Sequence, residues 1–372
     1  MDNVDSKLDM IECRIIEPCM EFIENAERVG QVGSEKDYYE IISEKRKKLR
    51  EKVLGGGMIV PHFTLVVGTR CTLRCKNCIN LMQYYDEPYD LDVQDLISDL
   101  EQFLSLIDYC MCISLVGGEP FIYPHLGIVL DYLKDNDKIA SIEITTNGTV
   151  VPDNELLTKM SDSKIRVVIS DYGRLETMSK LAIIFDQYKI KSECASNQVW
   201  INGGECGKRN RTDFELEQLY MACRSARLCK TLFKGKLFDC PRAAHLMDLG
   251  YANDLEFLDI YNCKKEDLVS FYIKNAAKAC NYCDFSVLEK EYVEPAVQMN
   301  GKHLDRSNYT IILRENYDDL IKAKQYWEQQ FNNSQSVISE LKGWVSELES
   351  AKEYFLGQIA DLERQNQELR PK

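Results

Sequence analysis

Short apolar runs alternate with amphipathic segments between residues 61 and 202. The apolar runs are rich in β-branched residues and end at polar turns, which is typical of buried strands. They predict strands near residues 63–67, 111–116, 140–145, 165–170, 188–194 and 198–201. Apolar residues that recur every three or four positions predict helices near 92–107, 124–136, 153–161 and 174–186. This alternation indicates an α/β fold in which right-handed crossovers join parallel strands.

The pattern changes on both sides of this region. Residues 1–57 have helical periodicity, and the last helix stops at three glycines, Gly55 to Gly57. Residues 203–300 are rich in cysteine, and a β-hairpin is predicted there around Lys234, Gly235 and Lys236. It is expected to bring Cys229 and Cys240 together at its two ends. We therefore expect an N-terminal helical segment before the α/β domain of residues 58–202, and a small cysteine-rich α+β domain after it.

A seven-residue repeat runs through residues 315–372 and predicts a coiled-coil helix. The apolar side chains of its seam are Phe331, Ile338, Leu341, Val345, Leu348, Phe355, Ile359, Leu362 and Leu369. Asn366 lies on the same seam, where an amide fixes register and strand number. We expect residues 327–369 to form a homodimer or to bind a coil of another protein. A long helix folded back on its own chain is the alternative.

Composition narrows the class of protein. The formal net charge of −14 argues against a general nucleic-acid binder. No apolar run is long enough to cross a bilayer, and the acidic N-terminus lacks the apolar core of a secretory signal. We therefore expect a cytoplasmic protein. In that reducing compartment, metal binding explains the 15 cysteines better than disulfides do.

Three cysteines follow the first predicted strand of the α/β region: Cys71, Cys75 and Cys78, spaced C-x3-C-x2-C. This places three thiols on one loop at the carboxyl end of a strand, where α/β folds place their chemistry. A closed [4Fe–4S] site takes four cysteines, so three leave one iron open. A zinc loop is the alternative, but zinc motifs usually pair C-x2-C units or add histidines, and no histidine lies nearby.

Three further motifs follow later predicted strands in the same way. The strand near 111–116 runs into Gly117, Gly118, Glu119 and Pro120. Two glycines let a backbone approach a ligand closely, and a carboxylate suits an ammonium group. The next two strands end in polar residues, namely Thr146 and Asn147 after one strand and Ser170 and Asp171 after the other.

The four motifs, in this order, resemble the radical S-adenosylmethionine (SAM) superfamily. The resemblance implies a partial (β/α)6 barrel of the TIM type and a [4Fe–4S] cluster on Cys71, Cys75 and Cys78. It also implies that SAM chelates the fourth iron, while the GGEP motif holds its amino group and the later motifs reach the rest of the cofactor. A reductant such as flavodoxin or ferredoxin would supply one electron, which cleaves SAM to methionine and a 5′-deoxyadenosyl radical. Asn77 departs from the family, which often has an aromatic residue before the third cysteine.

A second set of cysteines lies in residues 203–300. Its five candidate metal ligands are Cys223, Cys229, Cys240, Cys280 and Cys283. A four-cysteine structural zinc site is the alternative to an iron–sulfur cluster here. The spacing of Cys223, Gly235 and Cys240 resembles C-x9–15-G-x4-C of the Twitch domain, the short form of the SPASM domain. The resemblance implies one auxiliary [4Fe–4S] cluster and leaves open whether Cys223 or Cys229 is the spare thiol.

The cluster layout resembles that of 2-deoxy-scyllo-inosamine dehydrogenases, and it predicts an oxidoreductase with a small carbohydrate-like substrate. With four thiolate ligands, the auxiliary cluster would accept an electron, so we expect a sugar or cyclitol alcohol to be oxidised, with epimerisation as a variant. The alternatives are a maturase of a ribosomal peptide and a non-enzymatic coiled-coil scaffold with structural metal sites. Candidate cavity side chains are Tyr84, Tyr85, Asp86, His125, Asp171, Tyr172 and Arg242. The alternative for each is ordinary loop packing or polar structure, and for Arg242 also a hydrogen bond to the auxiliary cluster.

Overall fold

The computed structural model describes residues 2–29, 35–172, 175–196, 199–287 and 289–299. The predicted coiled coil of residues 315–372, including the interface predicted for 327–369, lies outside the described residues. Within the described part of the chain, no helix is both long and apolar enough to cross a membrane.

The N-terminal segment is helical, as predicted. Its helices are α1 (Asp2–Ile11), α2 (Glu17–Val29) and α3 (Glu35–Leu54), and a π-helical turn, Glu12–Ile16, joins the first two. Ile15, Ile16 and Met20 are fully buried in the main core. This burial ties the segment to the sheet domain, because the apolar residues of the helices pack on the same core as the first strand.

Strands and helices then alternate. The strands are β1 (Ile59–Val66), β2 (Tyr109–Val116), β3 (Ile142–Thr146), β4 (Ile165–Asp171), β5 (Lys191–Ser196), β6 (Trp200–Ile201), β7 (Lys230–Phe233), β8 (Lys236–Phe238), β9 (Leu258–Asp259) and β10 (Tyr292–Val293). The remaining helices are α4 (Val93–Ser105), α5 (Leu126–Lys134), α6 (Asn154–Met160), α7 (Leu175–Gln187), α8 (Asp213–Ala222), α9 (Arg224–Leu228), α10 (Pro241–Asp248) and α11 (Lys265–Ile273).

Strands β1 to β5 are parallel neighbours in an eight-stranded sheet with the order β5-β4-β3-β2-β1-β7-β8-β9. In its register Phe63 lies opposite Ile113, and Ile113 lies opposite Ile142. These three residues belong to the core that the helices cover, so the alternate residues of each strand face the other side. The carboxyl ends of β1 to β4 therefore meet at one edge, where the four predicted motifs begin.

The sixth predicted strand is not part of this sheet, which corrects the expectation for residues 198–201. Only Trp200 and Ile201 are extended there, and they pair antiparallel with Val293 and Tyr292 of β10. The place beside β1 is taken instead by β7, which runs parallel to it. A two-residue strand offers too few backbone groups to extend a barrel, and its partner lies far along the chain.

The predicted hairpin is confirmed. Strands β7 and β8 pair antiparallel, with Phe233 opposite Lys236, so that Lys234 and Gly235 form the loop. Both loop residues have positive φ, 51° and 70°, which is typical of the tight turns that suit twisted hairpins. The hairpin joins the cysteine-rich region to the main sheet, because β7 pairs with β1.

Candidate active site

The first cysteine loop leaves β1 and forms one wall of a cavity of about 400 Å³. Cys75 is buried, and Cys71 and Cys78 are half-buried beside it. The cavity also takes residues from the ends of β2, β3 and β4. The motif residues that line it are Cys71, Cys75, Cys78, Gly117, Gly118, Thr146, Asn147 and Ser170. Four segments that are far apart in the sequence thus border one space.

Two glycines let the end of β2 cross the cysteine loop at backbone contact. The amide of Gly118 donates to the carbonyl of Gly68 at 3.2 Å, and the amide of Glu119 donates to the carbonyl of Arg70 at 2.9 Å. A Cβ atom on Gly118 would overlap the Arg70 carbonyl and would come within 2.7 Å of the Cβ of Cys71. A Cβ atom on Gly117 would overlap the Gly68 carbonyl. Only glycine permits this close approach, and no side chain of Gly117 or Gly118 covers the backbone where it lines the cavity.

Glu119 does not line the cavity, and its carboxylate holds the end of β3 in place. Its Oε1 accepts hydrogen bonds from Thr146 Oγ1 at 2.8 Å and from the amide of Phe121 at 3.1 Å. Its Oε2 accepts from the amide of Asn147 at 2.8 Å. Burial raises the pKa of Glu119, and the three donors oppose that rise. The acidic residue of the second motif therefore positions the third motif. Pro120 lies beyond it, also outside the cavity lining.

Asn147 connects the end of β3 to the cysteine loop. Its Nδ2 donates to Thr72 Oγ1 at 3.1 Å and reaches the sulfur of Cys71 at 3.6 Å. Its Oδ1 accepts from the backbone amide of Thr149 at 3.0 Å. The side chain is thus held from both ends, and it presents an N–H group to a thiol.

Aromatic side chains, of which only Tyr172 was a candidate from the sequence, line the cavity beside the cysteine loop. Tyr172 follows β4 and meets Trp200 of β6 edge to face, with ring centroids 5.3 Å apart. Both rings line the cavity together with Phe285. The pKa of Tyr172 is raised to about 12 by burial and by the nearby thiols. Sequence reasoning included Tyr172 but missed Trp200 and Phe285, because their elements meet only in the fold.

The remaining predicted cavity residues are distributed differently. Ser170 lines the cavity, while Asp171 ends β4 and its side chain is outside the described part. Tyr85 donates to Asp248 at 2.9 Å and contacts His245, and it does not line the cavity. The other side chains outside the lining are Tyr84, Asp86, His125 and Arg242.

The groups around the thiols of the first loop shift the pKa values of these thiols in opposite directions. Burial raises the pKa of Cys71 to about 11, and the amide of Leu73, which donates to its sulfur at 3.4 Å, opposes the rise. Burial also raises the pKa of Cys78, whereas neighbouring backbone amides and the guanidinium of Arg242 lower it. Since metals bind the thiolate, these N–H groups and this cation favour the ligating form.

The second cysteine region gathers four of its five candidate thiols. Cys240 is half-buried, and its pKa is raised by desolvation and then by the thiols of Cys283, Cys223 and Cys280. Cys223 and Cys280 pack against the same small core around Tyr220 and Ala277. Cys223 follows α8, and Cys240 directly precedes α10. Cys280 lies in the 3-10 turn Lys278–Tyr282, and Cys283 follows that turn.

Cys229 lies where the hairpin joins the main sheet. It follows α9 and directly precedes β7, which pairs with β1. Burial raises the pKa of Cys229 to about 12, and the thiol of Cys223 and the carboxylate of Glu143 add to the rise. Lys230 pairs with Asp239 across the hairpin at 2.8 Å, so Cys229 and Cys240 lie at its two ends.

Buried cations surround the second thiol group. Arg211 donates to the carbonyls of Cys280 and Cys283, the latter at 2.7 Å, and pairs with Asp284 at 2.5 Å. Lys230 is fully buried, and it donates to Asp239 at 2.8 Å and to Tyr220 at 2.6 Å. Arg211 lowers the pKa of Cys280 and would offset part of the charge of ligated thiolates, whereas Lys230 is compensated by Asp239.

Arg242 lies between the two thiol groups. Its Nε donates to the carbonyl of Tyr282 at 3.1 Å, and its Nη2 donates to the carbonyl of Gly204 at 2.6 Å. The guanidinium is 3% exposed and lowers the pKa of both Cys78 and Cys283. Arg242 thus favours the thiolate form of one cysteine in each group.

The number and spacing of the thiols indicate whether each site fits a single metal ion or an iron–sulfur cluster. Within the described ranges, no three His, Cys, Asp or Glu side chains are gathered closely enough to hold a single metal ion. A four-iron cluster is wider than one ion, so its thiolate ligands stand farther apart. Three thiols beside an open cavity fit a cluster with one free iron, and four thiols in a closed region fit a fully ligated one.

Comparison with known proteins identifies one part of the chain. Residues 65–170 match the model of the radical SAM superfamily. The GTP 3′,8-cyclase of Ectopseudomonas mendocina (strain ymp) is 30% identical over 94 residues, which are 25% of this chain and 28% of that protein. The matched stretch thus spans less than a third of this relative.

Solved structures give partial matches of low identity. BtrN in complex with AdoMet and 2-DOIA is 17% identical, with a TM-score of 0.42 over 61% of this chain and 94% of that chain. Native anSMEcpe with bound AdoMet and Cp18Cys peptide is 21% identical, with a TM-score of 0.30 over 36% of this chain and 42% of that chain. Streptococcus suis SuiB bound to S-adenosylmethionine is 18% identical, with a TM-score of 0.31 over 44% and 38% of the two chains.

Proposed function

Residues 65–170 of this chain are a radical SAM domain, and from this premise we propose an enzyme that oxidises an alcohol of a neutral, carbohydrate-like substrate. Cys71, Cys75 and Cys78 hold a [4Fe–4S] cluster, and SAM occupies the cavity beside them. The observation that carries the proposal is that the four motif segments meet there: three of them line the cavity next to the cysteines. Epimerisation of the same alcohol is the redox-neutral variant.

The chain's own residues prepare the cavity for SAM. The glycine crossing leaves the backbone of Gly117 and Gly118 open to a ligand, because no side chain stands between it and the cavity. Asn147 directs an N–H group at Cys71 and fixes that thiol relative to the end of β3. Glu119 holds Asn147 through its amide and so supports both contacts. The side chain of Ser170 lines the cavity at the end of β4, where we propose that the ribose of SAM lies.

The cavity lining favours a neutral substrate. Among the described residues, no acidic or basic side chain lines the cavity apart from the three cysteines. Asn77, Asn80 and Ser170 offer hydrogen bonds to hydroxyl groups, while Trp200 and Phe285 offer apolar faces. Together with Tyr172 these rings also exclude water, which a reaction through a radical requires.

A second [4Fe–4S] cluster on Cys223, Cys240, Cys280 and Cys283 would make the enzyme an oxidant. When bound, the first cluster would supply the electron that cleaves SAM, and the second would accept the electron that the oxidised substrate releases. Arg211 and Arg242 favour this assignment, because nearby cations stabilise the added negative charge. Cys229 is left out, because it lies at the junction with β1 of the main sheet, whereas Cys223 packs with Cys280 on the core around Tyr220.

A matched pair of variants tests the second site. After anaerobic reconstitution, we expect the full chain to hold about eight irons with matching sulfide and no zinc. Cys223→Ala is expected to lose about four irons, because three thiolates remain in a closed site. Cys229→Ala, a change of the same size six residues away, is expected to keep all of them.

Iron, sulfide and zinc analysis of the three proteins decides between the readings. About four irons plus one zinc in the wild type would remove the electron acceptor and leave epimerisation as the supported chemistry. Zinc without iron would overturn the enzyme proposal and leave a scaffold with structural metal sites. Iron loss in Cys229→Ala but not in Cys223→Ala would reverse the ligand assignment.

A further inference from the structure

The chain returns to the first cysteine loop after the second cysteine region. Residues 296–299, the return segment, lie antiparallel beside the loop, with Gln298 opposite Cys75. The amide of Lys76 donates to the carbonyl of Val297 at 2.6 Å, and the amide of Met299 donates to the carbonyl of Arg74 at 2.8 Å. Backbone hydrogen bonds therefore fix the loop on both sides of its middle cysteine.

The side chain of Gln298 completes this contact. Its Oε1 accepts from the amide of Arg74 at 2.8 Å, and its Nε2 donates to the sulfur of Cys75 at 3.3 Å. The same Nε2 donates to the carbonyl of Ala296 at 2.7 Å. The two N–H bonds of the amide thus have one partner each, so its orientation is defined.

Ala296 indicates that the return segment is held in this shape. Its φ is 56°, a left-handed conformation that is unfavourable for a residue with a Cβ. Ala296 is 1% exposed and packs in one cluster with Leu73 and Cys75. Its methyl group therefore packs against the cysteine loop in a conformation that glycine would adopt more easily.

From these contacts we propose that Gln298 is a positioning residue that orients the Cys75 thiolate and raises the reduction potential of the cluster bound there. This inference rests on the proposed function, since it requires a [4Fe–4S] cluster on the first loop. An N–H donor stabilises negative charge on a ligating sulfur, and the reduced cluster carries one more negative charge than the oxidised one. The bond therefore favours the reduced form, in which the cluster transfers its electron to SAM.

Two substitutions separate the donor from the rest of the side chain. Gln298→Ala removes both the donor to Cys75 and the acceptor for Arg74 without changing the charge. Gln298→Glu keeps an acceptor for the Arg74 amide, but an ionised carboxylate cannot donate to sulfur. Lys76→Gln is the charge control: it changes the net charge of an exposed position next to Cys75 and leaves the thiol contact in place.

The measurement is a redox titration of the reconstituted full chain, followed by electron paramagnetic resonance. The signal of the first site is identified by its change when SAM is added. We expect both Gln298 variants to shift the reduction equilibrium about tenfold toward the oxidised form, which is 59 mV for one electron. Lys76→Gln is expected to shift it far less, because water and salt screen an exposed charge.

The outcomes separate this inference from the proposed function. Equal potentials in the wild type and both Gln298 variants, with a signal that responds to SAM in each, would overturn only the role of Gln298. A shift in Lys76→Gln as large as that in Gln298→Ala would also overturn it, because general electrostatics would then suffice. A wild type in which no signal responds to SAM would overturn the proposed function and this inference with it.

Discussion

Cys75→Ala is expected to remove about four irons from the reconstituted chain and to abolish the cleavage of SAM. Cys75 is the most buried thiol of the first loop, and Gln298 and the return segment hold it in place. The two remaining thiols cannot retain a cluster whose fourth iron must stay open. The measurements are iron and sulfide content and the yield of 5′-deoxyadenosine under reducing conditions.

Cys194→Ala is the control for that variant. Cys194 lies on β5, is exposed and belongs to neither thiol group, so its loss should change neither iron content nor SAM cleavage. A Cys75→Ala protein that still holds as much iron as Cys194→Ala would contradict the assignment of the first site.

Gly118→Ala is expected to weaken SAM binding about a hundredfold, which corresponds to about 2.8 kcal/mol. The new Cβ would overlap the Arg70 carbonyl and approach Cys71, so the end of β2 must move away from the cysteine loop. That movement displaces both the backbone edge that faces SAM and the thiol beside it. Equilibrium binding of SAM to the reconstituted chain measures the effect.

Gly207→Ala is the matched control, since nothing lies within 4 Å of a Cβ at that position. Its SAM affinity should equal that of the wild type. Thermal unfolding of both variants shows whether Gly118→Ala is still folded, and the binding comparison applies to the folded protein. Equal SAM affinity in the two variants would mean that the close approach of β2 to the cysteine loop is not required for binding.

The sequence predicted the parallel sheet well because each strand from β1 to β4 is a local feature. An apolar run ends at a polar turn, and the helix between two runs has its own periodicity. The prediction of a sixth sheet strand at residues 198–201 was wrong because the pairing of these residues is not a local feature. Whether Trp200 and Ile201 extend the sheet depends on β10, which pairs with them from more than 90 residues away.

The residues of the candidate site also fall into two classes, those that lie in local motifs and those that only the fold brings together. Cys71, Gly118 and Asn147 could be found from sequence, because their motifs are short and lie at strand ends. Trp200 and Phe285 could not, since they meet Tyr172 only through tertiary packing. Nor did any motif indicate that Glu119 would turn toward Thr146 instead of lining the cavity.

The second cysteine region illustrates an intermediate case. Spacing gave five candidate thiols, and the hairpin was expected to bring Cys229 and Cys240 together. The fold adds information that spacing does not contain: Cys229 directly precedes β7, which pairs with β1, while Cys223 packs with Cys280 around Tyr220 and Ala277. We therefore propose Cys223 as the fourth ligand beside Cys240, Cys280 and Cys283.

The most direct test of the central claim is the fate of SAM when it is incubated with the reduced, reconstituted full chain, alone and with a panel of neutral cyclitols. We predict 5′-deoxyadenosine and methionine in equal amounts, formed faster with at least one cyclitol whose C–H hydrogen is transferred to 5′-deoxyadenosine. A chain that holds its iron and sulfide but leaves SAM intact under every condition would contradict the account.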